Sequence, residues 1–139
     1  MKHAGISQIG ALSRATGVKI ETIRWYEQVG LLPEPRRTEG NYRVYDDRHA
    51  RRLHFIRRAR DLGFPLDKVR ELLLLSDQEQ RPCAQADVIA REHLDEVERK
   101  IAELQEMRRE LGAIIDGCCQ RVVADCAVIG ALRTEEVQQ

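Results

Sequence analysis

The sequence predicts an all-α chain with one small β-hairpin: a compact helical front, one long helix built for self-pairing, and a short loop and helix at the end. Three observations carry this. Apolar residues recur at alternating steps of four and three along the rear half (Ala90, Leu94, Val97, Ile101, Leu104, then Leu111 and Ile115), which is a heptad seam. The stretch 36–45 has its turn residues at Gly40-Asn41 and flanks able to extend, as a hairpin requires. Aromatic residues make up 4% of the chain and charged residues 33%, which favours a helical protein whose long helix needs a partner to cover its stripe.

The 139 residues suit one compact domain with an extended element, or two small domains. Net charge is zero, but the halves differ. Residues 1–75 hold 15 Lys and Arg against 9 Asp and Glu, a balance of +6, whereas residues 76–139 hold 8 against 14, a balance of −6. A basic front and an acidic rear predict that only the front meets a polyanion. No signal peptide is visible, and no apolar run approaches the roughly 20 residues needed to cross a bilayer. The expected location is the cytoplasm, with no membrane partner. Thiols stay reduced there, so the four rear cysteines read as metal ligands or redox switches rather than structural disulfides.

Ser7 is placed to cap a first helix through about residue 14, with Ile9 and Leu12 facing inward. Thr16-Gly17 makes a tight turn, and a second helix covers about 19–28. That second helix carries Lys19, Thr22, Arg24 and Tyr26, so the pair reads as a helix-turn-helix whose second member meets DNA. The prolines of Leu31-Leu32-Pro33-Glu34-Pro35 end it. The hairpin bears Arg36, Arg37, Arg43, Tyr42 and Tyr45, and reads as a wing set on phosphates. Asp46 caps a helix over about 47–62, where Leu53, Ile56 and Ala59 share one face. Arg48, Arg51, Arg52, Arg57, Arg58 and Arg60 crowd the other, either as further phosphate contacts or as a solvated surface. Gly63 stops this helix, and Phe64-Pro65 turns the chain into a fourth over about 67–75. The domains are therefore a winged helix-turn-helix over 1–75, a polar linker over 76–82, the long dimerisation helix over 83–117, and a loop, short helix (127–132) and tail over 118–139.

Extending the heptad register puts both Cys83 and Cys118 at d positions, five heptads or roughly 50 Å apart. No ion bridges that within one chain. In an antiparallel pair, Cys83 of one copy arrives beside Cys118 of the other, twice by symmetry. Cys119 and Cys126 join this cluster. Zinc, cadmium, mercury and lead all accept thiolates. Disulfide formation among Cys118, Cys119 and Cys126 on oxidation is the alternative trigger, and simple packing of thiols is the bland one. The helix dipole favours a thiolate at Cys83 and disfavours it at Cys118 and Cys119, where the ion must drive deprotonation. His93 reads as a surface residue, and His3, His49 and His54 have no cysteine near them in sequence. No Ser/His/Asp set, glycine-rich phosphate loop or carboxylate pair in a plausible cleft is present, so an enzyme is not expected.

Three motifs in order, Ile23-Arg24-Trp25-Tyr26-Glu27 with Gly30-Leu31-Leu32, Asn41-Tyr42-Arg43-Val44-Tyr45, and Arg60-Asp61-Leu62-Gly63-Phe64, resemble the winged-helix DNA-binding domain of the MerR family over about residues 5–75. The remainder is similar to the family's metal-sensing branch, with its antiparallel dimerisation helix and short metal-binding loop. The resemblance implies a homodimeric bacterial transcription regulator. Such a protein binds a promoter with an overlong spacer and, on binding its effector, distorts the DNA so that RNA polymerase can engage both elements. Efflux or detoxification genes are the implied targets. The resemblance also puts Arg24, Tyr26, Tyr42 and Arg43 at DNA, and Trp25 replaces the more usual aromatic, partly in the core. Cys83 matches the helix cysteine of divalent-ion sensors, where monovalent copper, silver and gold sensors carry serine; a copper-type sensor is the other metal reading. Cys118 and Cys126 match the loop thiols, and Cys119 forms a vicinal pair as in zinc-type sensors. Residues 120–125 hold no histidine, and Asp125 is their only carboxylate, which argues against a two-zinc site. Iron–sulfur redox members carry a denser cysteine run, and drug-binding members need a C-terminal pocket for which nothing follows Leu132.

Overall fold

The computed structural model describes residues 8–117 and 122–134, which fall in two units, Met1–Ile89 and Ala90–Gln139. In the first, α1 (Ile9–Thr16) and α2 (Ile20–Gln28) are followed by an antiparallel hairpin of β1 (Arg36–Arg37) and β2 (Arg43–Val44), then by α3 (Asp47–Asp61) and α4 (Leu66–Ser76). Helix α1 packs on α2 and α3, and α3 packs on α4. Leu12, Ile23, Leu31, Leu53, Ile56 and Val69 are sealed from solvent in the shared core. Each fully buried aliphatic side chain contributes about 1.5–3 kcal/mol, so this core is what holds the short helices in place.

The ends of these helices are set by specific groups. The cap expected at Ser7 lies outside the described residues; Gln8 occupies the N-cap of α1 and makes no side-chain capping bond. Helix α1 also runs past the expected end near residue 14. Buried Thr16 donates its hydroxyl to the Leu12 carbonyl at 2.8 Å, which continues the helix instead of starting the turn. Gly17 then adopts φ 75°, and its N–H closes the helix on the Ser13 carbonyl at 2.8 Å. Asp46 caps α3 as the sequence predicts, accepting from the N–H groups of Arg48 and His49. Burial raises the Asp46 carboxyl, but hydrogen bonds and charge from His49 and the Arg48 N–H outweigh it and hold the pKa below the ordinary value. His49 completes the capping box where Glu or Gln is usual. Its Nδ1 lies 3.2 Å from the Asp46 backbone nitrogen and 3.1 Å from Asp46 Oδ1, and its Nε2 lies 3.2 Å from the Pro33 carbonyl oxygen.

Several arginines have a third role besides meeting phosphates or solvating a surface. Carbonyls at a helix C-terminus lack intrahelical donors and carry partial negative charge. Arg57 Nη1 reaches from α3 to the Thr16 carbonyl at the end of α1 (2.7 Å), and Arg70 Nη2 from α4 to the Val29 carbonyl just past α2 (2.8 Å). Arg52 donates to the Leu31 carbonyl at 3.3 Å and to the Asp77 carboxylate at 3.1 Å. Arg60 donates to the Phe64 carbonyl at 2.9 Å. These guanidiniums fasten loops and helix ends to one another.

Helix α5 (Ala84–Asp116) begins directly after Cys83, and Ile89 is its one buried residue. The seam side chains Leu94, Ile101, Leu104, Leu111 and Ile115 are 48–61% exposed. A single 3₁₀ turn, Val123–Asp125, leads into α6 (Ala127–Arg133), one residue longer than expected. No helix of the described residues is long and apolar enough to cross a membrane.

Gly17 and Gly112 make a matched test. A Cβ at Gly17 meets the Arg57 guanidinium at a positive φ, whereas one at Gly112 meets nothing within 4 Å. Gly17→Ala is expected to cost more than about 1 kcal/mol, and Gly112→Ala to be neutral or stabilising by up to about 1 kcal/mol. Urea midpoints that shift equally in both variants contradict this account.

Candidate functional site

Helix α2 turns Ile23 and Tyr26 toward the core and leaves Arg24 and Trp25 outside. Tyr26 and Arg24, both expected at DNA, thus differ in exposure along α2. Tyr26 is 7% exposed and belongs to the core cluster, because it lies one turn from Ile23 on the same helical face. Its ring centroid is 5.6 Å from that of Trp25. Trp25, expected partly in the core, is 44% exposed. Lys19 is the exposed N-cap of α2, and Thr22 is half-buried.

The wing pairs Arg36 with Val44 and Arg37 with Arg43. Asn41 takes φ 67° at the turn, a conformation that asparagine tolerates. Thr38 binds both sides of the turn: its N–H donates to the Tyr42 carbonyl at 2.9 Å, and its hydroxyl accepts the Tyr42 N–H at 3.1 Å. The two wing tyrosines separate, as an odd spacing along a strand requires. Tyr42 is 75% exposed, while Tyr45 is 2% exposed and donates its hydroxyl to Glu27 Oε2 at 2.7 Å. Arg43, expected mainly as a phosphate contact, also pairs with Glu27, its Nη1 lying 3.3 Å from Oε1. Burial and the bond to Glu27 raise the Tyr45 pKa above its ordinary value, against the smaller opposing effect of Arg43.

Arg24 of the recognition helix shares one cleft of about 450 Å³ with Arg37, Tyr42 and Arg43 of the wing, and the start of α1 closes its edge through Gln8, Ile9 and Gly10. Three guanidiniums lining one concave surface attract phosphate. Lys19, Thr22 and Arg36 do not line it. Glu27 is the residue that sequence reasoning missed. Its signal was an acidic side chain near the C-terminal end of a helix, where the dipole opposes it.

Two of the four predicted thiols lie within the described residues. Cys83 is exposed immediately before α5, and its carbonyl accepts the Asp87 N–H at 3.0 Å. It borders an apolar groove of about 360 Å³ between Phe55, Leu72, Leu75 and Ala86. Cys126 is half-buried at the start of α6, its carbonyl accepting the Gly130 N–H at 2.8 Å. Cys118 and Cys119 lie outside the described residues. Among the described residues no three His, Cys, Asp or Glu side chains converge to hold an ion. Sulfur donors at Cys83 and Cys126 suit a soft or borderline ion by their chemistry. His49 is occupied by its capping bonds.

A glycine-turned helix pair, a basic wing beside its second helix, and a long helix with an open apolar seam define a winged helix-turn-helix regulator. Residues 8–75 match the model of the MerR HTH family regulatory proteins, and residues 50–114 that described as MerR, DNA binding. Heavy metal-dependent transcription regulator 2 of Rhizobium meliloti (strain 1021) is 41% identical over 130 residues, 94% of this chain and 88% of that protein. PbrR691 from Ralstonia metallidurans CH34, solved in complex with lead(II), superposes with a TM-score of 0.79 at 38% identity, covering 90% of this chain and 98% of that one. MerR from Bacillus megaterium MB1, solved in complex with mercury(II), gives 0.66 at 30% identity, covering 94% and 100%. The chain belongs to the MerR family, whose members are transcription regulators rather than enzymes.

Tyr45→Phe is expected to lose about 1.5–3 kcal/mol, because the lost hydrogen bond ends on a carboxylate. With the folded pKa above the unfolded one, the stabilisation is fully present below the ordinary tyrosine value of about 10, and is lost as pH rises through the folded value. Urea midpoints between about pH 8 and 11 should fall less steeply in the variant than in the wild type.

Proposed function

We propose that this chain is a homodimeric, metal-responsive regulator that binds promoter DNA through the Arg24–wing cleft. A soft or borderline divalent ion (zinc, cadmium, lead or mercury) is its signal, and its output is a distortion of the promoter that lets RNA polymerase engage it at metal efflux or detoxification genes. The observation that carries this reading is the position of Cys83, at the head of a helix whose apolar seam is unburied. An antiparallel pairing that covers the seam brings the far end of a second copy to that thiol. Cys83 of one copy, with Cys118 and Cys126 of the other, would hold the ion, and Cys119 stands as a fourth donor. The lead and mercury complexes of the two related proteins support this choice of ions.

When bound, the ion supplies positive charge that lowers the thiol pKa values and holds thiolates together. The chain supplies the rest. Cys83 stands exposed directly before α5. Residues 78–83 join this helix to Asp77, the C-cap of α4, and Arg52 ties Asp77 to the Leu31 carbonyl beyond the recognition helix. A change at the helix head therefore has a connected route to the DNA-facing elements.

Two measurements test the two halves of this reading. Arg43→Ala should weaken promoter binding and flatten its logarithmic salt dependence by about one unit; unchanged affinity and slope remove Arg43 from the interface. Cys83→Ser should lower affinity for a divalent ion, titrated into the reduced dimer, by at least about tenfold, the scale on which even outer partners of a ligand act. Undiminished affinity rules out the cross-chain ligand, and a metal-free protein that responds only to peroxide favours thiol oxidation instead.

A further inference from the structure

Glu27 lies in the last turn of α2, where the helix dipole disfavours a negative charge and no basic residue of that turn offsets it. Its side chain is only 9% exposed. What satisfies it is the wing. One carboxylate oxygen takes Arg43 Nη1 at 3.3 Å, and the other takes the Tyr45 hydroxyl at 2.7 Å. These donors are two residues apart and so share a face of the extended chain. The hairpin has two residues per strand and cannot hold its own angle. Both carboxylate oxygens therefore fasten it to the recognition helix. A guanidinium carries five donors in a rigid fork, and the 42% exposed Arg43 lines the cleft with Arg24 and Arg37 while one of its nitrogens is held.

We propose that Glu27 is a positioning residue for DNA recognition: it aims Arg43 and the wing from α2, and it offsets one positive charge of the cleft so that arbitrary duplexes gain less from charge alone. This rests on the DNA-binding reading given above. Sequence-independent affinity is counterion release, with a slope of about −0.9 per phosphate neutralised, so a guanidinium held by a carboxylate contributes less to it than a released one.

The test is the salt dependence of binding to a random-sequence duplex by the full-length protein. Glu27→Gln should steepen the slope by a fraction of the roughly 0.9 unit that one guanidinium can contribute and tighten binding at low salt, while the preference for promoter over random duplex shrinks. Combined with Arg43→Ala, the same substitution should leave the slope of Arg43→Ala alone, because the effect runs through that guanidinium; loss of fold or of charge in general does not produce this pattern. Glu27→Asp keeps the charge but withdraws it from Arg43, and should move the slope the same way by less. Wild-type slopes in both single variants, or a full increase that persists without Arg43, overturn the assignment. A wild-type protein with no duplex affinity overturns the DNA reading and this assignment together, whereas a binding wild type with unchanged variants overturns this assignment alone.

Discussion

The structure depends on an apolar stripe that one chain does not cover. Helix α5 spans 33 residues and buries one of them, Ile89, while its leucines and isoleucines stand about half in water. An isolated helix draws little stability from propensity alone, and most of what it has comes from packing an amphipathic face. A heptad stripe of this length therefore calls for another helix of the same period. The chemistry at each end of α5 follows from that demand. Among the described residues no three potential ligands converge at the thiol heading the helix, and on the proposed pairing the end of an antiparallel partner would supply more. On the proposed pairing, dimerisation and effector capture would share one set of contacts, so a substitution in the seam would affect both.

A second constraint shapes the front unit. Its helices are short, and the carbonyl groups where they end are satisfied by guanidiniums arriving from other helices. Arg57 and Arg70 each span 41 residues of sequence to do this. The balance of +6 over residues 1–75 thus overstates what is turned toward a polyanion, because part of it holds carbonyls and Asp77. One concave cationic surface beside the wing is built from Arg24, Arg37 and Arg43, and a second concavity holds Arg48, Arg51 and Arg52 with Asp77 and Glu79.

What was legible in the sequence was what neighbouring residues decide. The Gly17 turn, the Asp46 cap, the Gly40-Asn41 hairpin and the heptad seam all rest on interactions within a turn or two, and their elements lie within a residue or two of expectation. Features set by distant pairs were not legible. Tyr26 reads as a DNA contact beside Arg24, and its burial in the core cluster depends on side chains that α1, α3 and α4 bring from elsewhere in the chain. Arg43 reads as a bare phosphate ligand until Glu27, sixteen residues earlier, is found beside it. The thiols were legible as a chemistry and a register; the convergence proposed for them belongs to two chains, and no spacing within one chain displays it.

The placement of Trp25 has a practical consequence. It is the chain's single tryptophan, and it stands nearly half exposed on the open face of the recognition helix, one residue from Arg24. Indole emission depends on local polarity and on quenching neighbours, so the intrinsic fluorescence of the native protein comes from the helix whose occupancy matters most. Events at that helix can be followed in unlabelled protein, with the dimerisation helix and thiols, which carry no tryptophan, contributing no indole signal of their own.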